Sequence, residues 1–193
     1  MIGELGERGQ RRPGVDDAGR VLRRAQQVHA GAAGVGAGQA VEIDIGAARP
    51  RLGGNTSFDS IFARAFHYRP LGSSAVIGFR GDGKFTRGEV PFYALPFIML
   101  RGVPALRYQG QHAVVAESEL RYGIDERWSL VGFAGAGKAY GNAVPFADAE
   151  AVTAGGVGVR YFIARKLGMH VGLDVARGPE DTVVYLQVGS AWN

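Results

Sequence analysis

Glu117 and Glu119 stand two residues apart in HAVVAESELRYGI, a spacing at which one carboxylate could serve as acid and the other as base. Arg121 follows at the same interval, and a cation beside two carboxylates makes the trio a structural charge network rather than a hydrolytic pair. GFAGAGKA (132–139) nearly matches the phosphate-binding GxxxxGK[ST] loop, but that loop needs a hydroxyl at 139 for magnesium and a helix behind it. Ala139, Tyr140, Gly141 and then Pro145 supply neither. His67, His112 and His170 fall in separate segments without ligand spacing. The absence of cysteine excludes a thiolate metal site, a cysteine nucleophile and a disulfide framework. Arg80-Gly81-Asp82, within GFRGDGKFTRG, is a tripeptide of the kind that arises by chance, and with Lys84 and Arg87 it reads as a loop mouth. The expectation is a protein that is not an enzyme, with no catalytic centre, no cofactor and no metal.

One arginine calls for a partner. In FIMLRGVPALRYQG (97–110) four apolar residues run into Arg101-Gly102, and Pro104 rules out a regular continuation. A solvated turn, a nucleic-acid contact and a specific buried partner are all open to Arg101 at this point. Lys+Arg 22 against Asp+Glu 18 leaves a net charge of only +4, so charge gives little reason to expect nucleic acid.

The elements that would position these residues divide the 193-residue chain in two. Residues 1–54 hold no Phe, Tyr or Trp, whereas all 19 aromatics and the three lysines follow Gly54. A Gly/Ala/Arg-rich leader of this kind has little to bury, and is expected to be disordered or weakly helical, with a short helix near Asp17–His29 capped by Asp16 or Asp17. It also fits sequence that is not native to the barrel. From residue 55 the apolar period becomes two. Leu167, Met169, Val171, Leu173 and Val175 form one unbroken face, opposite Lys166, His170 and Asp174. Val157, Val159, Tyr161 and Ile163 oppose Arg160, and Val114, Ala116, Leu120, Tyr122 and Ile124 oppose Glu117, Glu119 and Arg121. Seven strands are expected, roughly 57–68, 73–83, 112–124, 127–140, 154–164, 166–177 and 181–192. Short turns between them make an antiparallel meander, and the longest connection spans 84–111. The fold class is therefore all-β.

Two environments suit such a sheet: a soluble barrel with its apolar face inward, or an outer-membrane barrel with that face in lipid. The polar faces mix glycine and alanine with isolated charges of both signs, which suits a crowded lumen better than open water. Strands of about 10–13 residues match a tilted crossing of a bilayer. Tyr68, Tyr122, Trp128 and Trp192 lie near strand ends, where an aromatic girdle would sit. No run of about 18 apolar residues predicts a membrane helix, and no secretory signal peptide opens the chain.

The ordered set LRG (100–102), SELRYGI (118–124), VGFAGAGKAYG (131–141), GGVGVRYFI (155–163) and GLDVA (172–176), followed by a last strand ending in Trp192, resembles the C-terminal barrel region of BamA/TamA-type outer-membrane proteins. That superfamily of bacterial surface antigens includes two-partner secretion transporters, and the resemblance covers about residues 56–193. It implies a barrel of about sixteen strands at the cell outer membrane that inserts or translocates other proteins. The implied partners are outer-membrane lipid, client outer-membrane or secreted proteins, and upstream barrel strands, with no nucleic acid. It also implies that a long loop folds into the lumen and that its tip, Arg-Gly followed by an aromatic, meets acidic residues on the wall. Arg101 and Gly102 match that pair, Val103 stands where the aromatic would be, and Asp174 and Glu119 match wall carboxylates. The expected lumen network is Arg101, Gly102, Glu117, Glu119, Arg121, Arg160 and Asp174, with an Arg101–Asp174 or Arg101–Glu119 contact at its centre. The rival expectations are a soluble β-barrel binding module for a small apolar ligand and a passive porin-like barrel.

Overall fold

A computed structural model of the chain describes residues 20–31, 38–48, 57–164 and 169–188. Nine strands follow one another: β1 (Arg20–Gly31), β2 (Gly38–Ala48), β3 (Phe58–Leu71), β4 (Ala75–Gly88), β5 (His112–Gly123), β6 (Trp128–Tyr140), β7 (Val152–Ala164), β8 (Met169–Arg177) and β9 (Thr182–Val188). Each pairs antiparallel with the next in a single sheet ordered β1 to β9, so the meander leaves β1 and β9 at its two edges. Among the described residues the only helical element is one 3-10 turn, Phe92–Ala94.

All seven expected strands are present, with shifted ends. β4 runs five residues beyond its expected limit of 83, so Lys84 and Arg87 join Arg80 and Asp82 within the sheet, and none of the four lies at a loop mouth. Alternation of charged residues with Gly81 and Gly83 satisfies a strand that has one charged face, which composition alone had suggested was a turn. The last expected strand is described to Val188, and Trp192 lies outside the described residues.

Two strands correct the expected leader. The helix near Asp17–His29 is instead β1 from Arg20 on, and Gly38–Ala48 is a strand, not disordered chain. The physical reason lies in AVEIDIG: Val41, Ile43 and Ile45 share one face, and β-branched residues need no aromatic partner to sit on a pleated surface. β2 pairs with β3 over its whole length, placing Glu42 opposite Arg64 and Asp44 opposite Phe62. Asp16 and Asp17 lie outside the described residues.

The two faces of the sheet differ in kind. On one face large apolar side chains stay exposed, including Val157 at 65% and Leu186 at 76%. The other face is covered by the connection 89–111, which folds back over it. There Ile98, Leu100 and Val103 pack on Val115 and Val152, with Tyr108 beside them. Closer to β2, Ala94 packs on Ala48 and Phe58. Burying each large aliphatic of the loop contributes about 1.5–3 kcal/mol. Hence aliphatic packing holds the 89–111 connection against the sheet.

Candidate functional site

β6 supplies the floor on which the loop lands. Its GFAGAGKA segment, the phosphate-loop lookalike, is extended throughout, and places Gly135 and Gly137 on the covered face. A Cβ at Gly135 would lie 2.7 Å from Leu100, and one at Gly137 would lie 2.9 Å from Ile98. The glycines are there to let the loop approach the sheet. Farther along the face, a Cβ at Gly172 would meet the Arg160 side chain at 2.5 Å.

The loop bends at Gly102, whose φ of +90° is left-handed. The Gly102 N–H donates to the Tyr185 hydroxyl at 2.9 Å, and a Cβ there would lie 3.0 Å from the Gly178 nitrogen. This bend drives Arg101 into the face. Its Nε donates to Glu117 Oε1 at 2.9 Å, and Nη2 donates to the same oxygen. Nη1 lies 2.8 Å from Glu119 Oε2 and 3.2 Å from Asp174 Oδ2. The guanidinium also sits over the Phe133 ring, 3.5 Å from its centroid. Both partners expected for Arg101 are in contact with it, and Glu117 makes a third.

The network continues in both directions, alternating in sign. Asp174 holds Arg160 through both carboxylate oxygens, with Nη2 to Oδ2 at 2.9 Å, and Arg160 Nη2 donates to Gln187 at 2.8 Å. Arg160 and Asp174 have no exposed surface at all. On the other side Arg80 lies 3.3 Å from Glu117 and donates to the Met99 carbonyl at 2.6 Å. Asp82 joins Arg80 at 3.6 Å to Arg64, which it binds bidentately at 2.9 and 3.0 Å. Arg64 shares its face with Phe62 and Phe66 and lies over both rings, 5.0 and 5.9 Å from their centroids. Arg121 stays at the margin, 3.6 Å from Glu119 and more exposed than the rest.

Of the seven expected residues, Glu117, Glu119, Arg121, Arg160 and Asp174 stand on the covered face, and Arg101 and Gly102 reach it from the loop. Sequence reasoning left Arg64, Phe133, Tyr185 and Gln187 out of the network, and read Arg80 and Asp82 as a loop mouth at the end of the strand expected over 73–83. Even spacing of 80, 82 and 84 was the signal available for β4. Val103 does not leave a gap: it is buried in the loop's aliphatic cluster, while the ring beside Arg101 comes from β6.

At the rim the same loop makes a second, open contact. Arg107 Nε donates to Glu180 Oε1 at 2.7 Å, and the Tyr108 hydroxyl donates to the same oxygen at 3.0 Å. Arg107, and after it Tyr108, hold the Glu180 carboxyl below the usual glutamate range. In the β5–β6 turn, Asp125 is likewise lowered, by the backbone N–H groups of Arg127 and Trp128.

The opposite face has aromatic residues at both ends. Near the long loops Phe85, His112, Tyr140 and Phe146 lie in sequence with centroid spacings of 5.8, 5.1 and 5.1 Å. Near the short turns Trp128 packs on Tyr161 at 4.8 Å. Tyr68, expected in a girdle, pairs with Gly78 and so lies on the charged side with Phe66, because β3 presents its even positions there. Of the four histidines, the three weighed as ligands lie apart, His67 on β3, His112 on β5 and His170 on β8. The arrangement fastens the loop to the covered face of the sheet. Compared with known proteins, the chain matches no family model and no curated protein.

Proposed function

We propose that the chain forms part of an outer-membrane β-barrel of the type that assembles, inserts or translocates other proteins. The observation that carries this reading is the inversion of the two faces: the charges are buried under a loop, and the large aliphatics stand exposed. A soluble monomer rarely leaves so extensive an apolar surface uncovered. The dimensions agree. His112 and Tyr122 bound the exposed face of β5 and lie ten residues apart, about 34 Å of strand. At a tilt of about 45° that spans about 24 Å, close to the apolar band of such barrels.

The sheet has two edges, and lipid does not tolerate unpaired edges. In a nine-stranded meander β1 and β9 run the same way, so direct closure would pair them in parallel. An odd number of further strands gives an even, wholly antiparallel barrel. The resemblance to BamA/TamA-type barrels, of about sixteen strands, supports a complement of about seven. It also supports the assembly role, through an Arg-Gly loop tip docked on wall carboxylates.

Two experiments test the reading. The full chain is first secreted into the periplasm of a Gram-negative host. Membrane association without a heat-modifiable monomer is expected; a monodisperse soluble monomer would overturn the lipid-facing sheet, and a stable heat-modifiable monomer the need for further strands. Depletion of the protein from its own cell is then expected to lower folded outer-membrane proteins. Unchanged levels would instead mean a passive barrel.

A further inference from the structure

The exposed apolar face has two open glycines, Gly81 of β4, flanked across the sheet by Ala65 and Ala116, and Gly132 of β6. Gly132 of β6 stands in the register row Leu120–Gly132–Val157–Val175, between large side chains. A Cβ added there would meet nothing within 4 Å. The result is a slot of about 440 Å³, walled by Leu120, Tyr122 and Leu130 on one side and by Val157, Val159 and Leu173 on the other. Towards the short turns the slot leads to a cation. Arg127 Nη1 donates to the Tyr161 hydroxyl at 2.8 Å, and Tyr161 packs on Trp128. Tyr161 is two residues along β7 from Val159, about 7 Å beyond the slot wall. Asp125, in the same turn, is engaged at 2.7 Å by the backbone N–H groups of Arg127 and Trp128. A hydrocarbon slot ending at an aromatic-framed guanidinium complements an amphiphile that has an acyl chain and a phosphate.

We propose that this surface binds one glycerophospholipid molecule, with an acyl chain in the Gly132 slot and its phosphate on Arg127. The inference rests on the lipid-facing reading of this face. It is tested on the full chain carrying Trp192→Phe, which leaves Trp128 as the sole tryptophan. Maltoside micelles cover the sheet edges and contain no phosphate. Acyl-brominated phosphatidylcholine and equally brominated diacylglycerol are added at matched low mole fraction, and quenching of Trp128 is measured. Phosphatidylcholine is expected to quench at least twofold more than diacylglycerol. Arg127→Gln should remove the excess, and Arg127→Lys should restore part of it. Gly132→Leu puts an aliphatic side chain into the slot, where a Cβ meets nothing within 4 Å, and should also abolish the excess. Equal quenching by both lipids in the parent chain overturns the site but not the lipid-facing sheet. No quenching by either overturns both.

Discussion

Loop 89–111 is fastened at two points by the same chemistry, an arginine on carboxylate, in two different surroundings. At its tip Arg101 touches three acidic side chains and is about 10% exposed. At its rim Arg107 meets only Glu180, with side chains 61% and 34% exposed. Water and salt screen the rim pair, so its net contribution is small. At the tip the carboxylates have lost their water, and removing Arg101 takes from three buried carboxylates the one cation that they share. The comparison teaches that one contact defines the loop position while the other adjusts it. Exchange of the Ile98 amide, bonded to the Tyr108 carbonyl at 3.0 Å, reports on loop release in either case.

Arg101→Ala should produce the largest effect. Glu117 keeps Arg80 and Asp174 keeps Arg160, but Glu119 retains only Arg121 at 3.6 Å. Breaking the buried Arg101 contacts costs about 3–5 kcal/mol, which corresponds to a rise in Ile98 exchange of roughly two to four orders of magnitude. A change of only a few-fold would mean that the tip network is no stronger than the rim. Next in size is Gly102→Ala. Left-handed φ and the approach to Gly178 together cost about 1–3 kcal/mol, and exchange should rise about tenfold or more. An unchanged rate would show that the bend is not what delivers Arg101.

The asymmetry between tip and rim also explains what could be read without coordinates. Asp174, Glu117 and Glu119 are placed by parity alone, because a strand with one apolar face fixes where its other residues point. Arg160 follows by the same rule. Parity stops where alternation is broken by small residues: Arg80 and Asp82 are separated by Gly81, and a charged, glycine-rich strand has the composition of a turn. The β2 strand was obscured for a related reason. Its three β-branched residues, Val41, Ile43 and Ile45, sit in a Gly/Ala background, and pairing with β3 stabilises what composition does not. Phe133 could not have been found, because the ring beneath Arg101 comes from a strand 32 positions away rather than from the loop itself.

Smaller effects belong to the rim. Glu180→Gln keeps the shape of the Arg107 contact but removes its charge, and Ile98 exchange should rise a few-fold at most. Raising the ionic strength should shrink the difference between this variant and the parent chain while leaving the Arg101→Ala difference largely intact. A rim effect that survives high salt would mean that the exposed pair is shielded from solvent after all.

Acid isolates the rim contact further. Arg107 and then Tyr108 lower the Glu180 pKa in the folded loop, so their stabilisation is complete above the ordinary glutamate value of 4.5. It is lost as pH falls through the lowered folded value. Other carboxylates, including Glu117 and Asp174, also lie on paths from loop to sheet, so acid alone would not identify the group. The difference between the parent chain and Glu180→Gln does, since the variant has no charge at 180 to lose. After correction for intrinsic exchange, the two Ile98 rates should differ by a constant factor from pH 5 to 8 and converge below pH 4.5. A gap that stays constant through that range would mean that the Glu180 charge contributes nothing, and that its hydrogen bonds alone fasten the rim.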